Sequence, residues 1–572
     1  MNTIGLVDNA WRDLKYGARL LRLNPGFAIV AILSLALGIG ANTAIFQLLD
    51  AVEFRMLPVR DARQLVEIRP ATPHRWGNTT GRRATTTNAI WEQIRNRHDS
   101  FSGVFAWGVN RFDLSTTGES RLVDGLWVSG EFFDVLGVPA AVGRVITRQD
   151  DVRGCGSPVA VISDPFWQRE YGGAASAVGG TVHLDGHPFE IVGVTPAGFS
   201  GVEVGRSFDV AVPICAEPIV EPMRNAVDKR HYWWLDVIGR LKGDSPIERA
   251  DAELKAMSPA VFAATVAPAF PPETAKEYLT YSLDAYPAGT GVSYLRGQYR
   301  QPLWILLAVA GLVLLIACAN LANLMLARAS AREREIAVRL AIGASRGRLI
   351  RQLLAESVLV ASIGAAAGVA LAQSLSRFLV AFISTDSSRL FFNLETDWRI
   401  LAFACALATL TCLLFGLTPA IRATRQSAAA AMKAGSRGSS ATRERFGLRR
   451  VLVAAQVALS FVLIVGAMLF VRTVRNLATI DAGFRHDDIL IADFDTRGAR
   501  VPPARQPDFE RELRNRLAAI PGVDAVSDAA IEPASGSVWN DRVVLDGVVQ
   551  QTITNENHVS PGFFKMLGTA LI

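Results

Sequence analysis

Five long apolar stretches limit what this 572-residue chain can fold into. They cover residues 25–50, 302–327, 357–383, 399–421 and 451–471, each long enough to cross a hydrocarbon layer that takes about 20 helical residues. No water pairs the backbone inside such a layer, so each stretch is predicted to be a helix that satisfies its own amides. The rival for the first stretch is a signal peptide. Its uncharged run extends to Leu49, longer than the apolar core a signal peptide uses, and it is read as a span. Hydrophobic residues make up 50% of the chain and mean hydropathy is +0.25, rare for a soluble set of domains of this size. The expected class is a membrane α-helical protein with an α+β extracytoplasmic domain and about five transmembrane helices.

Arginine orients the spans. Between the second and third, residues 328–356 carry Arg328, Arg332, Arg334, Arg339, Arg346, Arg348 and Arg351 against Glu333, Glu335 and Glu356. After the fourth, the linker 422–450 holds Arg422, Arg425, Lys433, Arg437, Arg443, Arg445, Arg449 and Arg450. The loop between spans three and four has Arg389 alone before Arg399. Positive charge marks the cytoplasmic side, so both basic segments lie inside and residues 51–301 and 472–572 lie outside. Residues 1–24 supply a basic amphipathic helix with Trp11, Leu14, Ala18 and Leu21 along one side, suited to the membrane interface. This placement accounts for the net charge of +6 without nucleic acid, for which there is neither aromatic–basic interleaving nor zinc-finger spacing.

Within residues 328–356, Ile336 and Leu340, then Leu349 and Leu353, fall on helical spacing. Gly343 suits a helix end at positive φ, and Ser345 suits the cap of the next helix. Two short amphipathic helices with a sharp bend are expected. They form either a solvated topogenic loop or a docking surface for a cytoplasmic partner; the ordered stripe favours docking. Ala36 and Gly40 in the first span, and Gly364 and Gly368 in the third, make small-xxx-small pairs for close helix packing. Asn320 and Asn323 are expected to hydrogen-bond to other helices.

Residues 51–301 mix strand and helix signals. Thr181–Leu184 and 189–194 alternate around Asp185-Gly186 and predict a hairpin whose loop takes in two further residues. Residues 234–241 read as a strand. Ser245-Pro246-Ile247-Glu248 reads as a capping box opening a helix to about Ala264. Cys155 and Cys215 fall where a disulfide is chemically allowed, although spacing alone does not bring them together. A repeat is visible: Val128-Ser129 with Phe132-Phe133 and Leu136-Gly137 matches Val559-Ser560 with Phe563-Phe564 and Leu567-Gly568. Each copy follows an outward-going span, which points to duplication, and the second half reads as cut short at residue 572.

Catalytic signals are missing. There is no G-x-x-x-x-G-K-[ST], HExxH, CxxC or G-x-S-x-G, and the seven histidines are dispersed, so no catalytic, metal or cofactor residue is assigned. His183 and His187 flank the predicted turn and read as its polar face rather than a metal site.

Four strings together resemble the MacB and FtsX permease family of ATP-binding-cassette systems. They are DLKYGARLLRLNPGFAIVAILSLALGIGANTAIF, the region 128–199 with FEIVGVTPAGF, IGRLKGDSPIERADAEL, and REREIAVRLAIGASRGRLIRQLLAES. The first string is most like the large duplicated permeases first noted in acidobacteria. The resemblance implies a MacB-like periplasmic core domain at 51–301, a cytoplasmic coupling segment at 328–356, and a second, incomplete core domain at 472–572. Arg334, Glu335, Arg339, Gly343, Ala344 and Ser345 match the family's pattern for touching a separate ATPase. It further implies a bacterial inner-membrane location, an ATPase subunit in trans, membrane lipid, a periplasmic adaptor or substrate, a homo- or pseudo-dimer, and export of drugs, peptides or lipoproteins. An envelope sensor that reports inward without transport is the alternative.

Overall fold

The structure is a computed structural model. It describes residues 3–71, 85–116, 119–156, 158–222, 224–331, 338, 342, 345–384, 390–392, 394–417, 441–485, 487–492, 501–533, 535, 539–541, 543–546, 548–550 and 554–569. The chain divides into a helical unit, residues 1–54 and 295–480, and a mixed unit, residues 55–294 and 481–572.

The helical unit opens with α1 (Thr3–Leu23) and α2 (Pro25–Leu49). Asn24 separates them in a non-helical conformation, because the ring of Pro25 disfavours helical backbone at the residue before it and fits the first helical position after it. A π-helical turn, Asp50–Phe54, prolongs α2.

The mixed unit is built on an 11-stranded sheet. In chain order its elements are β1 (Leu65–Pro70), β2 (Thr86–Thr87), α3 (Asn88–Arg95), β3 (Phe101–Asp113), β4 (Leu122–Val128), α4 (Phe132–Leu136), β5 (Val142–Gly143), β6 (Val159–Ile162), α5 (Asp164–Tyr171), β7 (Thr181–Leu184), β8 (His187–Val194), β9 (Val210–Pro213), α6 (Glu217–Val220), β10 (Trp233–Leu241), α7 (Ile247–Thr265), α8 (Pro272–Tyr278) and β11 (Leu283–Pro287). The strands run β11-β1-β10-β3-β4-β9-β6-β8-β5, with β2 on β10 and β7 on β8; β4–β9 and β6–β8 are parallel. Alternate residues of one strand enter different cores. Val104 and Ala106 of β3 join one cluster with Leu254 and Phe262 of α7, whereas Phe105 and Trp107 join another with Phe132 and Leu136 of α4. Helices on both faces explain why the run 104–107 of β3 is apolar and buried throughout rather than alternating with polar residues.

Two local expectations are refined. The hairpin closes in two residues, Asp185 (φ 48°) and Gly186 (φ 79°), and pairs Leu184 with His187, so no longer loop is needed. Helix α7 begins at Ile247 with Pro246 before it and no side-chain cap, so Ser245 does not complete a capping box.

After the sheet come α9 (Tyr294–Ala331), α10 (Arg346–Ile383), α11 (Trp398–Cys412) and α12 (Ala441–Ala478). Among the described residues five helices are long and apolar enough to cross a membrane: Pro25–Phe54, Tyr294–Arg328, Arg346–Ile383, Trp398–Leu417 and Arg450–Ala478. The chain is a multi-pass membrane protein with an extracytoplasmic α+β domain. Beyond α12, α13 (Gln506–Ala518), the short strands β12 (Trp539–Asp541), β13 (Val544–Leu545), β14 (Val548–Val549) and β15 (Thr554–Glu556), and α14 (Phe563–Met566) complete the mixed unit.

Candidate functional site

The arginine-rich segment is entered from α9 and left through α10. Of its sequence-predicted coupling residues, Arg334, Glu335, Arg339, Gly343 and Ala344 lie outside the described residues. Ser345 is described. Its backbone is extended (φ −70°, ψ 142°), and its hydroxyl accepts the Arg348 N–H at 3.4 Å, so it caps α10. The expected second short helix is not separate. Residues 346–357 continue into the third span as one 38-residue helix, because no proline falls between Arg346 and Ile383.

Gly364 and Gly368 lie against α2. A Cβ on Gly364 would sit 2.8 Å from Leu35 Cβ, and one on Gly368 would sit 3.1 Å from Gly40 N and 3.2 Å from Ala36 O. In return, a Cβ on Gly40 would sit 2.9 Å from Gly368 O. The two small-xxx-small pairs therefore face each other, backbone against backbone. Polar contacts beside them carried no sequence signal. The Ser376 hydroxyl donates to Gln47 Oε1 at 3.0 Å, and the Gln47 amide donates to the Leu394 carbonyl. Asp50, 1% exposed in the π-helical turn, is 3.4 Å from the Arg399 guanidinium. Composition hides Asp50, since it looks like the first residue after an apolar run.

In the mixed unit Cys155 and Cys215 form a disulfide across 60 residues. Beside it, Asp151 accepts the Cys215 N–H at 2.9 Å and the Gly130 N–H at 3.1 Å. Burial nonetheless pushes the Asp151 carboxyl above the usual carboxylate range, with nearby Glu131 adding to the effect. Glu131 is held by Arg95 at 2.6 Å and Arg148 at 2.8 Å. A cleft of about 320 Å³, its open mouth included, lies between β3, β4 and residues 200–208. Trp107, Asn110, Asp124, Arg206 and Phe208 line it, so it offers both apolar and charged contacts. Among the described residues there is no cluster of His, Cys, Asp and Glu able to hold a metal.

The sequence repeat is also a repeat of hydrogen bonds. Ser129 exchanges two bonds with Ala106: its hydroxyl accepts at 3.1 Å and its N–H donates at 2.9 Å. Ser560 exchanges the same two with Asp528, at 2.9 and 3.0 Å. The Phe133 carbonyl accepts from Val138, and the Phe564 carbonyl from Thr569. Leu136 accepts from Arg60, and Leu567 from Arg485. Gly137 and Gly568 turn the chain at φ 70° and 66°. Phe132–Phe133 and Phe563–Phe564 each stack edge-on at 83°.

Comparison with known proteins covers both halves of this architecture. The family model of the MacB-like periplasmic core domain matches residues 28–257, and that of the FtsX-like permease C-terminal matches residues 307–428. The macrolide export ATP-binding/permease protein MacB of Chromobacterium violaceum is 26% identical over 306 residues, covering 52% of this chain and 41% of the relative. MacB of Burkholderia thailandensis is 27% identical over 306 residues, covering 54% and 42%. This chain thus spans less than half the length of these curated relatives. The periplasmic region of MacB from Actinobacillus actinomycetemcomitans aligns with 42% of this chain and 94% of its own, at 12% identity and TM-score 0.28. With the core-domain match ahead of the permease match, an arginine-rich segment between the second and third spans, and a mixed α+β domain between the first and second, the chain belongs to the MacB/FtsX-like permeases.

Proposed function

We propose that this chain is the membrane subunit of an ATP-driven export or mechanotransmission system in a bacterial inner membrane. A separate ATP-binding-cassette subunit docks at Arg334–Ser345 on the cytoplasmic side. Nucleotide binding moves that segment, α9 and α10 carry the movement across the bilayer, and the core domain acts on an envelope substrate: a drug, peptide or lipoprotein. Such coupling requires the ATPase to bind two permease states with different affinity. ATP hydrolysis resides on that separate subunit, and residues 472–572 serve as a second core domain, the chain acting as a homo- or pseudo-dimer.

The observation that carries this reading is the pair of family matches, in order: the core-domain model over residues 28–257, then the permease model from within the second span onward, over residues 307–428. The names of the curated relatives, which join an ATP-binding part to a permease, support an ATPase partner and efflux. The helix rise supports the transmission role: 38 residues make α10 about 57 Å long, against about 30 Å of hydrocarbon. No observation favours the sensor alternative.

The test is affinity purification of the chain from its host's membranes. An ATP-binding-cassette protein is expected to copurify, and Glu335→Lys or Gly343→Pro is expected to release it or to abolish permease-stimulated ATP hydrolysis. Recovery of no such protein, with export unchanged in both variants, overturns the reading. Thiol labelling of intact cells checks the topology: Asp185→Cys is expected to be labelled from outside and Ser345→Cys to be protected.

A further inference from the structure

Asp13 is the single acid between Trp11 and Leu23 of α1, and Glu356 is the single acid of α10. Both are engaged at one junction. Arg351 Nε donates to Asp13 Oδ2 at 2.6 Å. Five residues on, Glu356 is 3% exposed and its carboxylate is paired with the Arg328 guanidinium at the end of α9. The same guanidinium donates to the Leu20 carbonyl of α1 at 3.4 Å and lies 5.0 Å from the centre of the Phe27 ring. Between these contacts Gly17 brings the helices together: a Cβ there would be 3.4 Å from Glu356 Cα. Positions 13, 17 and 20 share one face of α1, so the contacts form a continuous seam. Arg12, Lys15, Arg19 and Arg22 are left exposed, away from the seam.

An amphipathic helix that merely floated in the interface would need no such fit. Placing Asp13 opposite an arginine, and a glycine opposite a buried glutamate, fixes α1 in register along α10. Arg328 then ties that register to α9, which enters the arginine-rich segment from the other side. We propose that Asp13–Arg351 and Arg328–Glu356 are positioning pairs that lock α1 to both ends of the coupling segment, so that α1, α9 and α10 move as one block when the ATPase engages. The proposal rests on the permease reading above and adds α1 to its moving part. These residues touch neither nucleotide nor substrate; they hold the segment that the ATPase meets.

The less buried pair, Asp13–Arg351, is the one to test, since removing Glu356 or Arg328 risks the fold. The full chain is purified with its ATPase, placed in phosphatidylethanolamine–phosphatidylglycerol vesicles, and permease-stimulated ATP hydrolysis is measured. Asp13→Arg and Arg351→Asp each lower it by about tenfold, and the swapped double variant recovers to within about threefold of the parent. A second measurement replaces the ion pair by a covalent one. In a background lacking the free thiols Cys318, Cys405 and Cys412, Asp13→Cys with Arg351→Cys is inactive when reduced and regains stimulation when bridged by a short bis-thiosulfonate. Single variants that keep full stimulation, or a bridge that forms and abolishes it, overturn the lock. Failure of the permease reading is distinguished by its own signature, an unmodified chain with no copurifying ATPase. The bridge is then scored in native membranes alone, and its failure to form in the double cysteine variant overturns the junction.

Discussion

Substituting glycine by alanine at position 40 and at position 466 is expected to act in opposite directions. Both glycines sit in membrane helices, α2 and α12. A methyl on Gly40 would lie 2.9 Å from Gly368 O, and one on Gly368 would lie 3.1 Å from Gly40 N, so both meet backbone that cannot rotate away. Carbon–oxygen and carbon–nitrogen contacts relax near about 3.4 Å, so α2 and α10 must part by roughly 0.3–0.5 Å. Overpacking of this kind costs about 1–3 kcal/mol, and alanine's better helix propensity returns about 0.5–1 kcal/mol. The net loss is on the order of 1 kcal/mol, a lowering of about 2–4 °C in the melting of the helical unit. Gly466 has no atom within 4 Å of its would-be Cβ, so there only the propensity gain remains. The buried thiol of Cys318 gives the readout, since a thiol-reactive dye reaches it as the helices separate. Equal shifts in the two variants, or a stabilised Gly40→Ala, would refute the claim that backbone contact sets this interface.

Three further outcomes are expected. Reducing the Cys155–Cys215 bridge, or replacing both cysteines by serine, should lower the stability of the mixed unit by about 2–4 kcal/mol, the typical value for a bridge closing a long loop; urea unfolding with and without reductant checks this. On the acid side, Lys255 holds the Asp251 carboxyl below its ordinary range and Arg121 does the same for Glu170. Lowered folded values mean that this stability is present above the ordinary carboxylate range and is lost as pH falls through the folded values. Asp151 has the opposite sign, so Asp151→Asn should remove a gain on acidification, seen as a steeper acid loss in a pH series of thermal melts. At high pH the Tyr278 phenol, pushed up to about 12 by burial, should cost up to ~1.4 kcal/mol of stability per pH unit above pH 10, and phenolate absorbance that titrates late should diminish in Tyr278→Phe.

The parts of this molecule set by periodicity and solvent were legible beforehand. Apolar length and arginine placement locate the helices that structure and comparison describe, because a bilayer imposes one rule on every span. Gly364 and Gly368 stand out because glycine in a helix needs a reason. The single helix α10 was hidden because Gly343 and Ser345 signal a boundary while nothing marks the absence of another boundary near Ser357. Asp50 and Gln47 were hidden for another reason: their partners, Arg399 and Ser376, are more than 300 residues away in sequence. Pairings at such range leave no local pattern. Asn323, expected to bond another helix, has an Oδ1 with no partner among the described residues. The Cys155–Cys215 bridge likewise needed coordinates, since many loops of that length keep their ends apart.

The matched corners at Ser129 and Ser560 give the molecule an internal reference. Phe133 and Phe564 occupy equivalent places above the same set of hydrogen bonds, yet one is fully sealed and the other is 40% open to solvent. The polypeptide thus contains the same small construction under two kinds of cover. Comparing Phe133→Ala with Phe564→Ala within one protein isolates what cover alone contributes, with geometry, expression and membrane held constant.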